Sequence, residues 1–364
     1  MISLLEIYER RITMKYSLSS IMKPAPVGGG FSMEGYWVWC GSVVKGEDGR
    51  YHMFASRWPK AYPMHPGWLL ACEIVRAVSD KPEGPYEFAE VVLGQRGAQF
   101  WDGISVHNPL IMKIGDTYVL YYIGTTHPFA PVEDPSSLTL QDPRTIVTRA
   151  NKRIGMATSK SVFGPWERMD HPIVTTRPHA FDSFLVSNPA PCQDEQGEVL
   201  MVYKSRGYID SPHNGDVHGD MQLGVLKADR FDGEYKRLTD EPIKICGDFE
   251  VEDPFLWKDE DGYNLVAKDM TGDICGEKYA GVHALSQDGV HWTLQKDRMF
   301  YSRKVLWSDG VVREVGNMER PFILFEDGKP ICAFFATSDS KNGMGIMDCT
   351  HTWNMAIPLD PTKA

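Results

Sequence analysis

The chain has no C-x-x-C pair, no excess of basic charge and no apolar run long enough to cross a bilayer. Lys plus Arg number 38 against 49 Asp plus Glu, a formal net charge of −11. That balance argues against a nucleic-acid partner or an anionic membrane surface, both of which want basic patches. The seven cysteines (40, 72, 192, 246, 275, 332 and 349) are odd in number and scattered, which excludes a disulfide or zinc framework and suits reduced, packed thiols. The longest apolar runs, such as Tyr118 to Ile123, fall far short of the roughly 20 residues a membrane helix needs. Glu6, Glu9, Arg10 and Arg11 stand where a secretory signal needs unbroken apolar residues. The expectation is a cytoplasmic protein, or a secreted or periplasmic one if a signal peptide has been removed. No low-complexity stretch divides the 364 residues, so they read as one domain, 1–364, with residues 1–30 as an N-terminal extension. Within that extension, Ile2 to Ser17 suits a short amphipathic helix.

What is abundant is turn formers and rings: Gly 33, Pro 24, Trp 10, Tyr 15 and Phe 16. They are arranged as a repeat. Five segments share a polar start, an apolar strand, a Gly/Asp turn and a second, aromatic-rich strand. They read WCGSVVKGEDGRYHMFAS from Trp39, HNPLIMKIGDTYVLYYIG from His107 and SNPAPCQDEQGEVLMVYKS from Ser187, then EDPFLWKDEDGYNLVAKD from Glu252 and ERPFILFEDGKPICAFFAT from Glu319. Gly and Asp between apolar runs mark β-hairpins, because they tolerate the positive φ such turns demand. The turn glycines fall at 49, 115, 197, 262 and 328. A second strand–turn–strand unit follows the first four hairpins, beginning at Ala77, Ala157, Lys227 and Ala284. Four strands repeated five times predict an all-β fold, a five-bladed β-propeller closed into a circle. His351 to Leu359 is then a candidate for the last strand of a blade.

The first strand of each propeller blade lines the axis, so residues at its start converge. Just before the shared Pro stand His107-Asn108, Ser187-Asn188, Glu252-Asp253 and Glu319-Arg320; the first repeat has Trp39-Cys40 followed by Gly41. Seven residues before the Pro position lie Glu34, Asp102, Asp182 and Glu314, with Asp248 one place later in the fourth repeat. Asn-Pro and Asp-Pro also initiate turns, and each residue alone reads as structural. Carboxylates gathered at one axis, however, are costly unless used. Their chemistry is glycoside cleavage, which needs one protonated carboxyl and one ionised partner. Trp39, Trp101 and Trp307 are candidates for stacking on sugar rings.

The chain resembles the five-bladed propeller glycoside hydrolases of families 43, 32, 68 and 117, from about Gly35 onward. The resemblance rests on the strand starts WCGSVVKGEDGRYHMF, SNPAPCQDEQGEVLMVY and VEDPFLWKDEDGYNLV, on the blade endings EGPY and FGPW, and on Glu319-Arg320-Pro321. It implies that Glu252, two residues before a Pro, is the general acid. It also exposes departures: Asn188 stands where family 43 has the Asp that tunes that acid, and Cys40 where it has the Asp base. A thiol is a poor base for water, so Asp102 or Asp182 is expected to replace it, with Glu34 a weaker candidate.

The catalytic candidates are therefore Glu252, Asp182, Asp102, Asp253 and Glu319, and the substrate-binding candidates Glu34, Trp39, Trp101, His107, Asn108, Asn188, Lys204 and Arg320. Long loops are expected to close a pocket. The loop 125–152 carries His127, Asp134, Asp142 and Arg144, and His213, Asp216, His218 and Asp220 have a spacing that can bind a calcium or zinc ion. No cofactor is required and no metal ligand is assigned. The expected function is an exo-acting, inverting glycosidase on an oligosaccharide, with a homo-oligomer allowed. The rivals are a phosphorylase, with Lys204, Arg206 and Arg320 holding phosphate or an anionic sugar, and a carbohydrate-binding propeller that has lost its catalytic centre.

Overall fold

A computed structural model describes residues 17–213, 216–295, 299–341 and 348–363; for 210–213 and 216 it describes the backbone alone. The helix expected from Ile2 to Ser17 lies outside the described residues, save for Ser17. A short helix α1 (Leu18–Ile21) follows, capped by the Ser17 side chain.

The first blade contains β1 (Tyr36–Lys45), β2 (Tyr51–Pro59), β3 (Glu73–Ser79) and β4 (Glu87–Leu93), with α2 (Met64–Ala71) between β2 and β3. The second contains β5 (Ser105–Ile114), β6 (Thr117–Thr125), β7 (Arg153–Ser159) and β8 (Glu167–Arg168), with α3 (Pro143–Ala150) between β6 and β7. In the third, β9 (Leu185–Gln193) and β10 (Val199–Arg206) are followed by a hairpin of β11 (Tyr208–His213) and β12 (Asp216–His218). The blade then resumes with β13 (Gln222–Ala228) and β14 (Lys236–Arg237). The fourth contains β15 (Val251–Asp259), β16 (Gly262–Asp269), β17 (Gly281–Ser286) and β18 (Thr293–Leu294). A hairpin of β19 (Lys304–Leu306) and β20 (Val312–Glu314) leads to the fifth blade, β21 (Glu319–Glu326), β22 (Lys329–Ser338) and β23 (Thr352–Pro358).

The blades are antiparallel sheets, four of them with four strands and the fifth with three. The fold is thus the all-β five-bladed propeller read from the repeat. All five turn glycines have positive φ: Gly49 78°, Gly115 59°, Gly197 89°, Gly262 117° and Gly328 73°. The segment 351–359 supplies the third strand of the last blade, and the place of a fourth is taken from the other end of the chain. Met22 and Phe31 bridge to Leu359 and Asn354 in antiparallel fashion. This closes the circle, and the Gly41 N–H donates to Asn354 Oδ1 at 2.8 Å across the same seam.

The core lies between blades. Val119, Tyr121, Ile154, Val186, Met201 and Leu226 join the second blade to the third. Leu200, Val225, Leu265 and Val282 join the third to the fourth. Val38, Val43, Phe322 and Phe334 join the fifth to the first. Inner strands are covered on both faces, so β6 is buried along its whole length and reads as an unbroken apolar run rather than an alternating one. The outer strand β4 is mostly exposed. Among the described residues no helix is long and apolar enough to cross a membrane.

Candidate functional site

Each innermost strand bends at the same place. Cys40, Asn108, Asn188, Asp253 and Arg320, one per blade, have φ of 54°, 52°, 50°, 58° and 52°. The ladder with the second strand slips at this point in all five blades. A left-handed residue followed by an extra one is a β-bulge, which turns side chains out of the ladder. Asn and Asp tolerate this conformation best among non-glycine residues. That preference, rather than catalysis alone, accounts for three of the five.

The five bulges bring their side chains together in a chain of hydrogen bonds around the axis. Cys40 Sγ donates to Asn108 Oδ1 at 3.1 Å, Asn108 Nδ2 to Asn188 Oδ1 at 2.8 Å, and Asn188 Nδ2 to Asp253 Oδ1 at 2.9 Å. The Arg320 backbone N–H donates to Asp253 Oδ2 at 3.2 Å, and Arg320 Nη1 lies 3.6 Å from Asp253 Oδ1. Burial pushes the Cys40 thiol well above its ordinary range, so it stays protonated. Cys40 therefore cannot act as a base at neutral pH.

This ring floors a cavity of about 310 Å³, at the small end of ligand pockets, which run roughly 300–1,000 Å³. Of the expected residues, the cavity gathers Trp39, His107, Asn108, Asn188, Lys204, Glu252, Asp253, Glu319 and Arg320. One wall comes from α2, which supplies Met64, His65 and Trp68, and from α3 and its end, which supply Arg149 and Lys152. The helix α3 has Asp142 as N-cap and Pro143 following, residues that suit a helix start, although 125–152 reads in the sequence only as a loop. Leu69 and Leu70 of α2 pack on Leu138 of the same long loop.

The centre of the floor is a residue that sequence reasoning missed. Lys268 is 1% exposed, and its Nζ lies 3.0 Å from Glu252 Oε2, 2.9 Å from Glu319 Oε1 and 3.4 Å from Asp253 Oδ2. The carboxylates outweigh its burial and hold its ammonium well above the ordinary lysine range. Glu252 also receives Lys204, and its register partner across the hairpin is Lys268. The signal was present in the repeat: Lys204 pairs with Ser187 just as Lys268 pairs with Glu252. The endings VYKS and VAKD thus place lysines at one structural position in two blades.

The two glutamates are pushed apart. Glu252 is desolvated, but Lys204 and Lys268 overcome this and hold its carboxyl well below the usual range. At Glu319 burial dominates, aided by Asp253 and Glu252, and raises the carboxyl despite Lys268.

The carboxylates expected from the seven-residue offset do not reach the cavity. Asp102 is fully buried against blade two, held by Arg96 Nε at 2.6 Å, Tyr122 Oη at 2.8 Å and Arg168 Nη1 at 3.6 Å. Asp182 repeats the arrangement in blade three with Arg177 at 3.0 Å, Tyr203 Oη at 2.8 Å and Arg237 at 2.7 Å. Both pin the incoming crossover to their own blade, so neither stands where a base is needed. Glu34 is exposed in a turn, Glu314 pairs with Arg303 and Asp248 with Lys244. Trp101 stacks on Tyr122, and Trp307 takes the guanidinium of Arg313, both away from the axis. The offset failed because position along a crossover does not fix which way a side chain turns.

Removing one such pin has a stability effect. Asp182→Asn is expected to lower unfolding free energy by about 3–5 kcal/mol by stranding Arg177 and Arg237. Urea titration of the variant checks this, and a loss below about 1 kcal/mol overturns the pinning role.

In the long loop, Asp134 caps a short 3₁₀ turn and Asp142 caps α3. His218 stands between Arg149 and Arg206. The side chains of His213 and Asp216 lie outside the described residues. Among the described residues no three His, Cys, Asp or Glu side chains are grouped to hold a metal ion.

No family model and no curated protein matches the sequence. Solved structures do match in fold. A family 117 glycoside hydrolase from the marine bacterium Zobellia galactanivorans superposes with TM-score 0.61 at 15% identity, covering 93% of this chain and 89% of that one. The arabinanase of Bacillus subtilis gives 0.55 at 13%, covering 91% and 96%. An α-L-arabinofuranosidase from Lactobacillus brevis gives 0.55 at 12%, covering 94% of each. At such identities the likeness shows a shared propeller fold.

Proposed function

We propose that this chain is a glycosidase that removes a terminal sugar from an oligosaccharide, with Glu319 as proton donor and Glu252 as its ionised partner. The observation that carries the reading is the pair of glutamates sharing Lys268 at the cavity floor, with their pKa values displaced in opposite directions. Pairs of titratable groups separated in this way are how one site holds an acid and a base at one pH. The propeller glycoside hydrolases of like fold support the same chemistry. The small cavity, walled by α2 and α3, favours exo action on one terminal residue.

The roles differ from those implied by resemblance. Glu252 stands at the family acid's place, but two lysines stabilise its anion, which suits attack or base work and not proton donation. Its oxygen and that of Glu319 lie within about 6 Å of one another, since both touch one Nζ at 3.0 and 2.9 Å. Inverting enzymes keep carboxyls roughly 6.5–9.5 Å apart and retaining ones about 5–5.5 Å. The spacing supports direct attack by Glu252 over the inversion expected from sequence. Proton NMR of the first product anomer tests this, and an inverted product overturns it.

The pH profile follows from the same pair. Activity needs Glu319 protonated, so the alkaline limb of kcat/KM belongs to a carboxyl raised above its ordinary value of about 4.3. Glu252 must be ionised, and its lowered pKa puts the acid limb below the ordinary carboxylate range. Activity is thus expected to persist in weak acid and fall as pH rises. An alkaline limb that stays in place in Glu319→Gln, with residual activity on an activated substrate, overturns the assignment.

A further inference from the structure

The cavity is far more basic than the chain. Among the described residues it is lined by six cations, Arg149, Lys152, Lys204, Arg206, Lys268 and Arg320, against the three carboxylates Glu252, Asp253 and Glu319, in a protein of formal net charge −11. The imbalance is not spread evenly. Lys268 and Lys204 are absorbed by the glutamates. The rest of the excess, Arg149, Lys152 and Arg206, lies toward the second and third blades, where no carboxylate lines the cavity, although Arg206 has Glu250 at 3.8 Å outside its lining.

Lys152 is 7% exposed and its Nζ rests 4.2 Å from the Trp68 ring. No ion pair to it exists among the described residues. Burial, with Lys204, Arg149 and Arg206 nearby, holds its ammonium well below the ordinary lysine range. His107 packs on the same Trp68 ring at 4.9 Å, is 1% exposed, and neither of its ring nitrogens has a hydrogen-bond partner. Across the floor, Arg320 Nε and Nη1 are likewise buried without a hydrogen bond. Arg149 and Arg206 are braced from behind by His218, at 3.1 and 3.2 Å. Buried donors left unpaired cost about 1–3 kcal/mol each, so several of them beside one cavity call for a partner such as a water, an ion or a ligand.

Resting on the glycosidase reading, we propose that this side of the cavity is an oxyanion subsite, formed by Lys152 and His107 with Arg149 and Arg206, and that the terminal sugar carries a negatively charged group such as a carboxylate or sulfate. The guanidinium and ammonium groups supply charge-assisted hydrogen bonds. Trp39 and Trp68 line the same cavity and add apolar surface to it. Free inorganic phosphate shares the oxyanion chemistry but would arrive as a separate molecule, so the two sources are separable.

The test is calorimetric binding by the intact chain, independent of turnover, using D-glucuronate and D-galacturonate against D-glucose and D-galactose, with inorganic phosphate as a further arm. At least one uronate is expected to bind about tenfold or more tightly than its neutral counterpart. Lys152→Met is expected to abolish that preference and Lys152→Arg to keep most of it, with circular dichroism confirming that both variants fold. Equal binding of acidic and neutral sugars overturns the subsite. Phosphate binding without a uronate preference overturns its assignment to the sugar. A uronate preference in a protein that hydrolyses neither uronides nor sulfated or neutral glycosides leaves the subsite standing and removes the glycosidase reading instead.

Discussion

Glu319→Gln is expected to lower kcat on a natural glycosidic linkage by about 10²–10⁴-fold, the range for loss of a general acid. The amide keeps the shape of the side chain and can still accept from Lys268 and Asn317, which lie 2.9 and 3.0 Å from the present carboxylate. It cannot donate a proton to a leaving oxygen. An aryl glycoside whose phenolate leaves unaided should therefore recover most of the loss. Glu252→Gln should behave differently and lose activity on both substrates, because an attacking group is needed whatever departs. The two variants measured on the two substrates give four rates that separate the roles. Recovery on the aryl glycoside by Glu252→Gln, and not by Glu319→Gln, would restore the assignment that the resemblance implied.

Lys268→Met is expected to cost as much stability as the loss of the Asp182 pin, and in a pH-dependent way. The lysine is buried beneath three carboxylates, and removing one partner of a buried ionic group costs about 3–5 kcal/mol, chiefly through the charges left behind. The sign of its pH dependence follows from the groups involved. Lys268 is raised above the ordinary lysine value of 10.5, so its contribution is complete at neutral pH and fades only in strong alkali. Glu252 is lowered from 4.5, so its contribution is present above that value and is lost as pH falls through the depressed one. Glu319 is raised, so it works in the opposite direction and relaxes on acidification. In the variant the carboxylates lose their cation and can take up protons more readily. The penalty should thus be larger at pH 8 than at pH 5, measured by urea unfolding of both proteins. A penalty independent of pH would mean that lost packing, not charge, sets it.

The five hairpins were legible because each is a local event: apolar residues flank a turn that needs Gly, and the same chemistry recurs in every repeat. The residues just before the shared Pro were legible too, since the repeat itself points to them. Glu252, Asp253, Glu319, Asn108 and Asn188 are all at the cavity floor. Asp102 and Asp182 were misread because their partners Arg168 and Arg237 come from outer strands of the same blade, which no local pattern links to them. Lys152 and Arg149 were missed for a related reason. They arrive on an insertion between β6 and β7, outside the aligned segments, and the packing of blade two on blade three sets them beside Lys204 and Arg206. The opposite displacement of the two glutamate carboxyls could not be read from either residue, because both share Lys268 and it is Lys204, from the neighbouring blade, that further favours the Glu252 anion.

The seam at Phe31 and Asn354 has a consequence for how the protein is made. A ribosome emits those two residues more than 300 positions apart, so the early blades wait with an uncovered flank until the last strand has emerged. Val38 and Val43 of the first blade pack against Phe322 and Phe334 of the fifth, and that contact is absent from every shorter nascent chain. Closing the ring therefore requires loop closure over more than 300 residues, as the 313-residue separation of Gly41 and Asn354 illustrates.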